Sequence, residues 1–133
     1  MASARPTVRP LSPHLSIWKW KVHMAASIFH RVSGNALAFG ALLLFGWWLF
    51  AAASGKEAYA TFHEVATGWF GMLVGVGLSW MFWQHLLGGV RHLVMDGGTG
   101  YDLKTSKTVA TLVFVGAAVM TALTWALILM KGN

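Results

Sequence analysis

The residue best placed for chemistry is a histidine inside an apolar segment. His85 lies within residues 65–90, which contain no Asp, Glu, Lys or Arg. An imidazole at that depth needs a partner, because an unsatisfied polar group in hydrocarbon is costly. One such imidazole can supply an axial ligand to a haem iron, and Gly88 and Gly89, one turn further on, would leave room for a flat macrocycle. A histidine that hydrogen-bonds to a neighbouring helix is the alternative interpretation.

A metal centre held by several histidines is poorly supported. His85 and His92 share a helical face but lie two turns apart, too far to bind one ion, and the sequence contains no HxxxH pair. The chain also contains no cysteine, which excludes disulfides, thiolate zinc sites and cysteine-ligated iron–sulfur clusters within it. One haem, with its second ligand from another chain, is therefore the sharper hypothesis.

A second polar cluster lies at the start of the first apolar segment. His23, Ser27, His30 and Gly34 follow one another at the spacing of a single helical face. Arg31 comes four residues after Ser27, so the two side chains can reach a common ligand. The alternative is a snorkelling arginine with a histidine at the level of the lipid headgroups.

Positive charge is concentrated at the same end of the predicted helices. The residues concerned are Arg31, Arg91, His30 and His92. Each could pair with a propionate of the haem, since charge-assisted hydrogen bonds to carboxylates are strong.

Three apolar segments must position these side chains. None contains Asp, Glu, Lys or Arg, and each can cross the roughly 30 Å hydrocarbon core as a helix: Val32–Gly55, Val65–Val90 and Thr108–Met130. Backbone groups in lipid must hydrogen-bond within their own segment, so we expect helices at about residues 26–54, 65–94 and 107–130. Of the 133 residues, 56% are apolar and 11% are charged. The chain is therefore predicted to be one all-α integral membrane domain, over residues 1–133, with three transmembrane helices.

The charge distribution predicts the orientation in the membrane. No acidic residue precedes Glu57, whereas the N-terminal segment is rich in Lys and Arg. The loop after the second apolar segment is also basic. By the positive-inside rule, the N-terminus and this loop lie in the cytoplasm and the C-terminus lies outside. Prolines interrupt the N-terminal segment, which predicts a cytoplasmic surface segment rather than a signal peptide: Pro6, Pro10 and Pro13.

Other functional classes fit the sequence less well. Ten Lys and Arg against four Asp and Glu would suggest nucleic-acid binding in a soluble protein, but here membrane topology accounts for the excess. A small transporter would be favoured by acidic residues within the spans, and there are none. Gly71 and Gly75 form a GxxxG pattern, which we interpret as helix packing. A structural anchor without a redox role stays open.

Three motifs in order resemble one known family, the cytochrome b membrane-anchor subunit of succinate dehydrogenase, respiratory complex II. Residues 9–15, RPLSPHL, resemble its N-terminal stretch. Residues 27–34, SIFHRVSG, resemble its SIxHRxTG segment, with Ser33 in place of the commoner threonine. Residues 85–96, HLLGGVRHLVMD, resemble its HxxxGxRHLxxD segment. The order, spacing and three-helix layout together cover nearly the whole chain.

The resemblance implies roles for individual residues. His85 would be the axial ligand of one haem b, and the second ligand would be a histidine of a companion anchor subunit. Ser27 and Arg31 would belong to the ubiquinone site. His30, Arg31 and His92 would contact the haem propionates. The chain would then form half of a heterodimeric anchor bundle.

The resemblance also implies an activity that this chain shares with other subunits. A flavoprotein subunit would oxidise succinate, an iron–sulfur subunit would carry the electrons, and ubiquinone would accept them in the membrane. This chain would have no succinate-oxidising site of its own. Its location would be the bacterial inner membrane, with the mitochondrial inner membrane less favoured. The closest alternative is the anchor of a fumarate reductase that uses menaquinol.

Overall fold

The computed structural model describes residue 17 and residues 19–131, which are mostly helical. These residues contain four long helices: α1 (Val22–Ser54), α2 (Lys56–Thr67), α3 (Trp69–Asp96) and α4 (Leu103–Lys131). Within α1, residues Leu37–Ala41 form one π-helical turn between two α-helical parts. The expected surface segment and the RPLSPHL motif at residues 9–15 lie outside the described residues.

Three of these helices are long and apolar enough to cross a membrane. They contain 33, 28 and 29 residues for α1, α3 and α4, which at 1.5 Å per residue exceeds the hydrocarbon thickness. The prediction of an all-α integral membrane protein with three spans is thereby confirmed.

The short helix α2 was not expected from the sequence. Gly55, at φ 111°, reverses the chain directly after α1, and the extended backbone of Gly68 separates α2 from α3. The second span consequently begins at Trp69 and not near residue 65, because the residues before Gly68 belong to α2. The ring of Phe62 on α2 meets Trp47 on α1 edge-on, with the centroids 5.1 Å apart.

Small side chains allow α3 to pack closely against α1 and α4. The buried apolar residues are an alanine-rich set, and small residues are what close packing of membrane helices requires: Ala26, Ala51, Ala110, Val113 and Ala117. Two indole hydrogen bonds also join α3 to α4. Trp83 donates to Thr124 over 3.0 Å, and Trp125 donates to Ser79 over 3.2 Å.

The two glycines of the GxxxG pattern have different packing partners. A Cβ on Gly75 would lie 2.9 Å from the ring of Trp125, so this glycine admits an α4 side chain. A Cβ on Gly71 would collide with the backbone carbonyls of Val65 and Ala66. Gly71 therefore permits the tight corner between α2 and α3, while Gly75 serves packing between helices.

Large apolar side chains cover the outside of the bundle. Phe39, Leu43 and Trp69 are more than two-thirds exposed, and many other Leu, Val and Phe side chains are at least one-third exposed. A surface of this kind in water would be an aggregation hazard, but it suits contact with lipid or with apolar faces of other subunits.

Candidate functional site

The imidazole of His85 is held through its Nδ1 atom. Nδ1 lies 3.0 Å from the backbone carbonyl oxygen of His30 and 3.3 Å from the hydroxyl oxygen of Ser33. A carbonyl oxygen can only accept a hydrogen bond, so the contact is favourable when Nδ1 carries the proton. Nε2 of a neutral ring then bears the lone pair. This tautomer is the one in which Nε2 can bind a metal.

Three histidines from two helices converge at this point. The ring of His30 on α1 stacks on that of His85, with the centroids 4.1 Å apart and the planes within 5°. His92, two turns further along α3, places its ring 4.9 Å from that of His30. Within the described residues, no group of three or more His, Cys, Asp or Glu is arranged to hold a metal ion. His85, whose Nδ1 is bonded to a backbone carbonyl, is the imidazole of this cluster that is oriented as a single metal ligand would be.

A reciprocal pair of glycines brings α1 and α3 together here. A Cβ on Gly34 would lie 2.9 Å from Cε1 of His85, and a Cβ on Gly88 would lie 2.8 Å from Nδ1 of His30. Each histidine thus packs on a glycine of the opposite helix. The absence of a side chain at both positions lets the rings overlap, and it places the His30 carbonyl within reach of His85.

Replacing Gly88 with alanine tests this crossing. The added methyl group is expected to displace the His30 ring, since overpacking of a tight contact costs about 1–3 kcal/mol. We expect a lower thermal unfolding midpoint for the purified complex. Gly77→Ala is the matched control, because a Cβ at that position of α3 would meet no atom of another helix within 4 Å among the described residues. Equal midpoints in the two variants would contradict the proposed contact.

Arg91 on α3 forms a buried polar contact with α4. Its guanidinium donates a hydrogen bond of 3.1 Å to Ser106, and the residue is only 7% exposed. Arg91 shares a buried face with Gln84 and Gly88, at the spacing of one side of a helix. Arg91 therefore joins α3 to α4 in this structure.

Gln84 is the largest fully buried side chain among the described residues. Neither its amide nitrogen nor its amide oxygen has a hydrogen-bond partner among them. Buried polar groups usually form hydrogen bonds. An amide without one, directly before His85, therefore lowers the stability of the chain by itself.

Ser27 and Arg31 lie on α1, one helical turn apart. Ser27 is half-buried, whereas Arg31 is exposed and has no hydrogen-bond or ion-pair partner among the described residues. Both side chains lie in the same helical segment as His30, whose ring packs against α3. A hydroxyl and an unpaired guanidinium at this position can bind an oxygen-bearing ligand.

The sequence analysis assigned no role to two residues of this region, Ser33 and Ser106. Both are buried and form side-chain hydrogen bonds or close polar contacts to α3. The position of each serine within or beside an apolar span could have drawn attention to it. The sequence did not show which helix each serine faces.

The loop before α4 ends in a helix cap that was also not expected. The carboxylate of Asp102 accepts a hydrogen bond of 2.9 Å from the backbone N–H of Thr105. This hydrogen bond holds the pKa of Asp102 below its usual value. The cap fixes the start of α4, next to the buried pair of Arg91 and Ser106.

The residues present fit a haem ligated by one histidine of this chain. His85 has its Nδ1 bonded to protein, which leaves Nε2 as the ligand atom. The buried Nδ1 of His30 has no hydrogen-bond partner among the described residues and could bond to a carboxylate. These two observations concern different atoms, and both support the sequence-based hypothesis of a haem site.

Known proteins resemble this chain over nearly its whole length. The family model described as succinate dehydrogenase/fumarate reductase transmembrane subunit matches residues 5–124. The succinate dehydrogenase cytochrome b556 subunit of Paracoccus denitrificans is 36% identical over 124 residues, which are 93% of this chain and 95% of the relative. The Rickettsia felis protein of the same name is 36% identical over 117 residues, 88% of this chain and 90% of the relative. The mouse mitochondrial cytochrome b560 subunit is 38% identical over 94 residues, 69% of this chain and 55% of the relative.

Proposed function

Since the chain belongs to the succinate dehydrogenase/fumarate reductase transmembrane subunit family, we propose that it binds one haem b and forms part of a ubiquinone-reduction site. Its relatives are cytochrome b subunits of succinate dehydrogenase, which are non-catalytic membrane subunits of an oxidoreductase complex. The chain is accordingly an anchor subunit, and the haem and quinone sites are the parts that we propose.

The hydrogen bonding of His85 is the single observation that supports haem ligation most directly. The His30 carbonyl, 3.0 Å from Nδ1, selects the tautomer whose Nε2 can bind iron. A second imidazole, from a companion anchor subunit, would supply the other ligand to the iron in this proposal. A bound haem would supply a one-electron carrier between the anchor helices.

The cationic and imidazole groups near His85 are proposed to hold the haem propionates. His30 has a buried Nδ1 without a partner among the described residues, and the His92 ring lies 4.9 Å from the His30 ring. Arg31 is the third group, and it is exposed and unpaired within the described chain. Together they provide positive charge or N–H donors for two carboxylates.

Ser27 and Arg31 are proposed to bind the quinone. Reduction of ubiquinone to ubiquinol takes up two electrons and two protons, and negative charge develops on the quinone oxygens as electrons arrive. The Ser27 hydroxyl and the Arg31 guanidinium can each donate a hydrogen bond to a quinone oxygen and stabilise that charge. Arg31 lies beside His30 in the sequence, so quinone and haem would share this end of α1.

The proposal places three further subunits around this chain. The flavoprotein subunit oxidises succinate, the iron–sulfur subunit passes electrons to the quinone, and the companion anchor subunit covers part of the exposed apolar surface. The basic end of the bundle faces the cytoplasm of a bacterial cell, where the two soluble subunits dock.

The test is a reduced-minus-oxidised optical spectrum of the complex purified through a tag on this chain. We expect a b-type spectrum, with haem and flavin in a ratio of one to one and with succinate-dependent ubiquinone reduction. A complex that contains flavin but no haem would refute the haem proposal and leave a quinone-binding anchor. Two haems per flavin, or activity with menaquinol and fumarate alone, would favour the fumarate reductase type.

The orientation has its own test, because the sequence contains no cysteine. Tyr101 in the loop before α4 and Tyr59 on α2 are both exposed tyrosines, on opposite sides of the membrane in this proposal. Tyr59→Cys is expected to react with a membrane-impermeant thiol reagent in intact cells. Tyr101→Cys is expected to react only after permeabilisation. The reverse pattern would invert the proposed topology.

A further inference from the structure

A buried serine lies against the imidazole that is proposed to bind the haem. Ser33 is fully buried, and its hydroxyl oxygen is 3.3 Å from Nδ1 of His85. The same hydroxyl donates a hydrogen bond of 3.0 Å to the backbone carbonyl of His30. That carbonyl is also the acceptor for Nδ1 of His85, at 3.0 Å. The three groups form a closed triangle of polar contacts between α1 and α3.

The triangle determines which way each proton points. A hydroxyl has one proton and two acceptor lone pairs, and the carbonyl has no proton to give. Because the Ser33 proton is directed to His30, the remaining lone pairs of its oxygen are available to His85. The Nδ1 proton of His85 is consequently shared between two oxygen acceptors, the carbonyl and the hydroxyl.

We propose that Ser33 is a positioning residue that holds the His85 ring in one rotation and tunes it as a haem ligand. This inference rests on the proposed haem ligation by His85. A ligand histidine usually donates its second ring N–H to a carbonyl, carboxylate or water, which orients the ring and raises its basicity. Here the serine adds a second acceptor, and its burial keeps water out of the contact.

Packing alone would give Ser33 a different role. A serine that only fills space between α1 and α3 would be replaceable by any side chain of equal volume. A serine that accepts the Nδ1 proton would be replaceable only by a side chain that keeps the hydroxyl. Threonine and valine have the same shape and differ in this group, so they separate the two roles.

The experiment compares Ser33→Thr, Ser33→Val and Ser33→Ala in the intact complex. The readouts are the electron paramagnetic resonance signal of the ferric haem, which depends on the orientation of the axial rings, and the haem midpoint potential. We expect Ser33→Thr to resemble the wild type. We expect Ser33→Val and Ser33→Ala to retain haem, to shift the low-spin signal and to raise the midpoint potential, because an imidazole with one acceptor fewer donates less electron density to iron.

Controls separate the failure of this inference from the failure of the haem proposal. Ser54→Ala removes another helical serine of α1, whose hydroxyl donates to the backbone carbonyl of Phe50 and has no other partner in the described part of the chain, and it should leave both readouts unchanged. Unchanged signals and potentials in Ser33→Ala would overturn the positioning role, even if Ser33→Val fails to assemble. The haem proposal itself fails only if the wild-type complex lacks haem or if His85→Ala retains the wild-type signal.

Discussion

Replacing His85 with alanine should abolish the b-type haem spectrum of the purified complex or convert it to a high-spin form. The variant loses the only imidazole of this chain whose Nδ1 is bonded to a backbone carbonyl among the described residues, and with it the lone pair proposed to bind iron. The low-spin b-type spectrum should be lost almost completely, because the alanine side chain has no atom that can bind iron. Optical spectroscopy and total haem per flavin measure the effect.

A histidine elsewhere in the chain provides the control for this variant. His63 lies exposed on α2, in the loop region between the first and second spans. His63→Ala should keep the full haem content and spectrum. A His85→Ala complex with an unchanged low-spin spectrum would show that the axial ligand comes from another residue.

Arg31→Lys is expected to lower ubiquinone reduction sharply while the haem content stays close to that of the wild type. Lysine keeps the charge but replaces a planar fork of N–H donors with a single ammonium group on a differently shaped stem. Loss of one donor that stabilises developing negative charge commonly costs about 10²–10³ in rate, so a fall of at least about tenfold is expected for this conservative change. The assay is succinate-dependent reduction of ubiquinone by the intact complex.

Two comparisons identify the step that is affected. Reduction of a soluble dye by succinate, which does not require the membrane quinone site, should stay normal in Arg31→Lys. Lys107→Gln removes another exposed positive charge near the same end of the bundle and should have little effect on quinone turnover. Full ubiquinone activity in Arg31→Lys would remove Arg31 from the proposed site.

The three spans could be predicted from the sequence because lipid imposes a simple requirement. A segment that crosses hydrocarbon must be long, apolar and internally hydrogen-bonded, and these properties are visible residue by residue. Helix α2 was not predicted because it connects two spans, and a connecting segment outside the hydrocarbon need not be helical. The positive φ of Gly55 and the extended backbone of Gly68 set its ends, and neither conformation is encoded by hydropathy.

The membership in the anchor family was also accessible from sequence, through the motifs at residues 27–34 and 85–96. The comparison with the family model, over residues 5–124, confirms it. The same motifs identified His30, His85 and His92 as a group. Their type and order could be seen in the sequence, but not which atoms meet.

The sequence by itself determined the membrane class, the number of spans and the kinds of side chain available for chemistry. The tertiary structure decided the contacts: the His85 imidazole meets a carbonyl 55 residues earlier in the chain, and Arg91 bonds to Ser106 on α4. The physical reason is that these contacts depend on how α1, α3 and α4 are rotated and how closely they cross. Those quantities are set by Gly34, Gly88 and the small residues between helices acting together, and no single segment carries them.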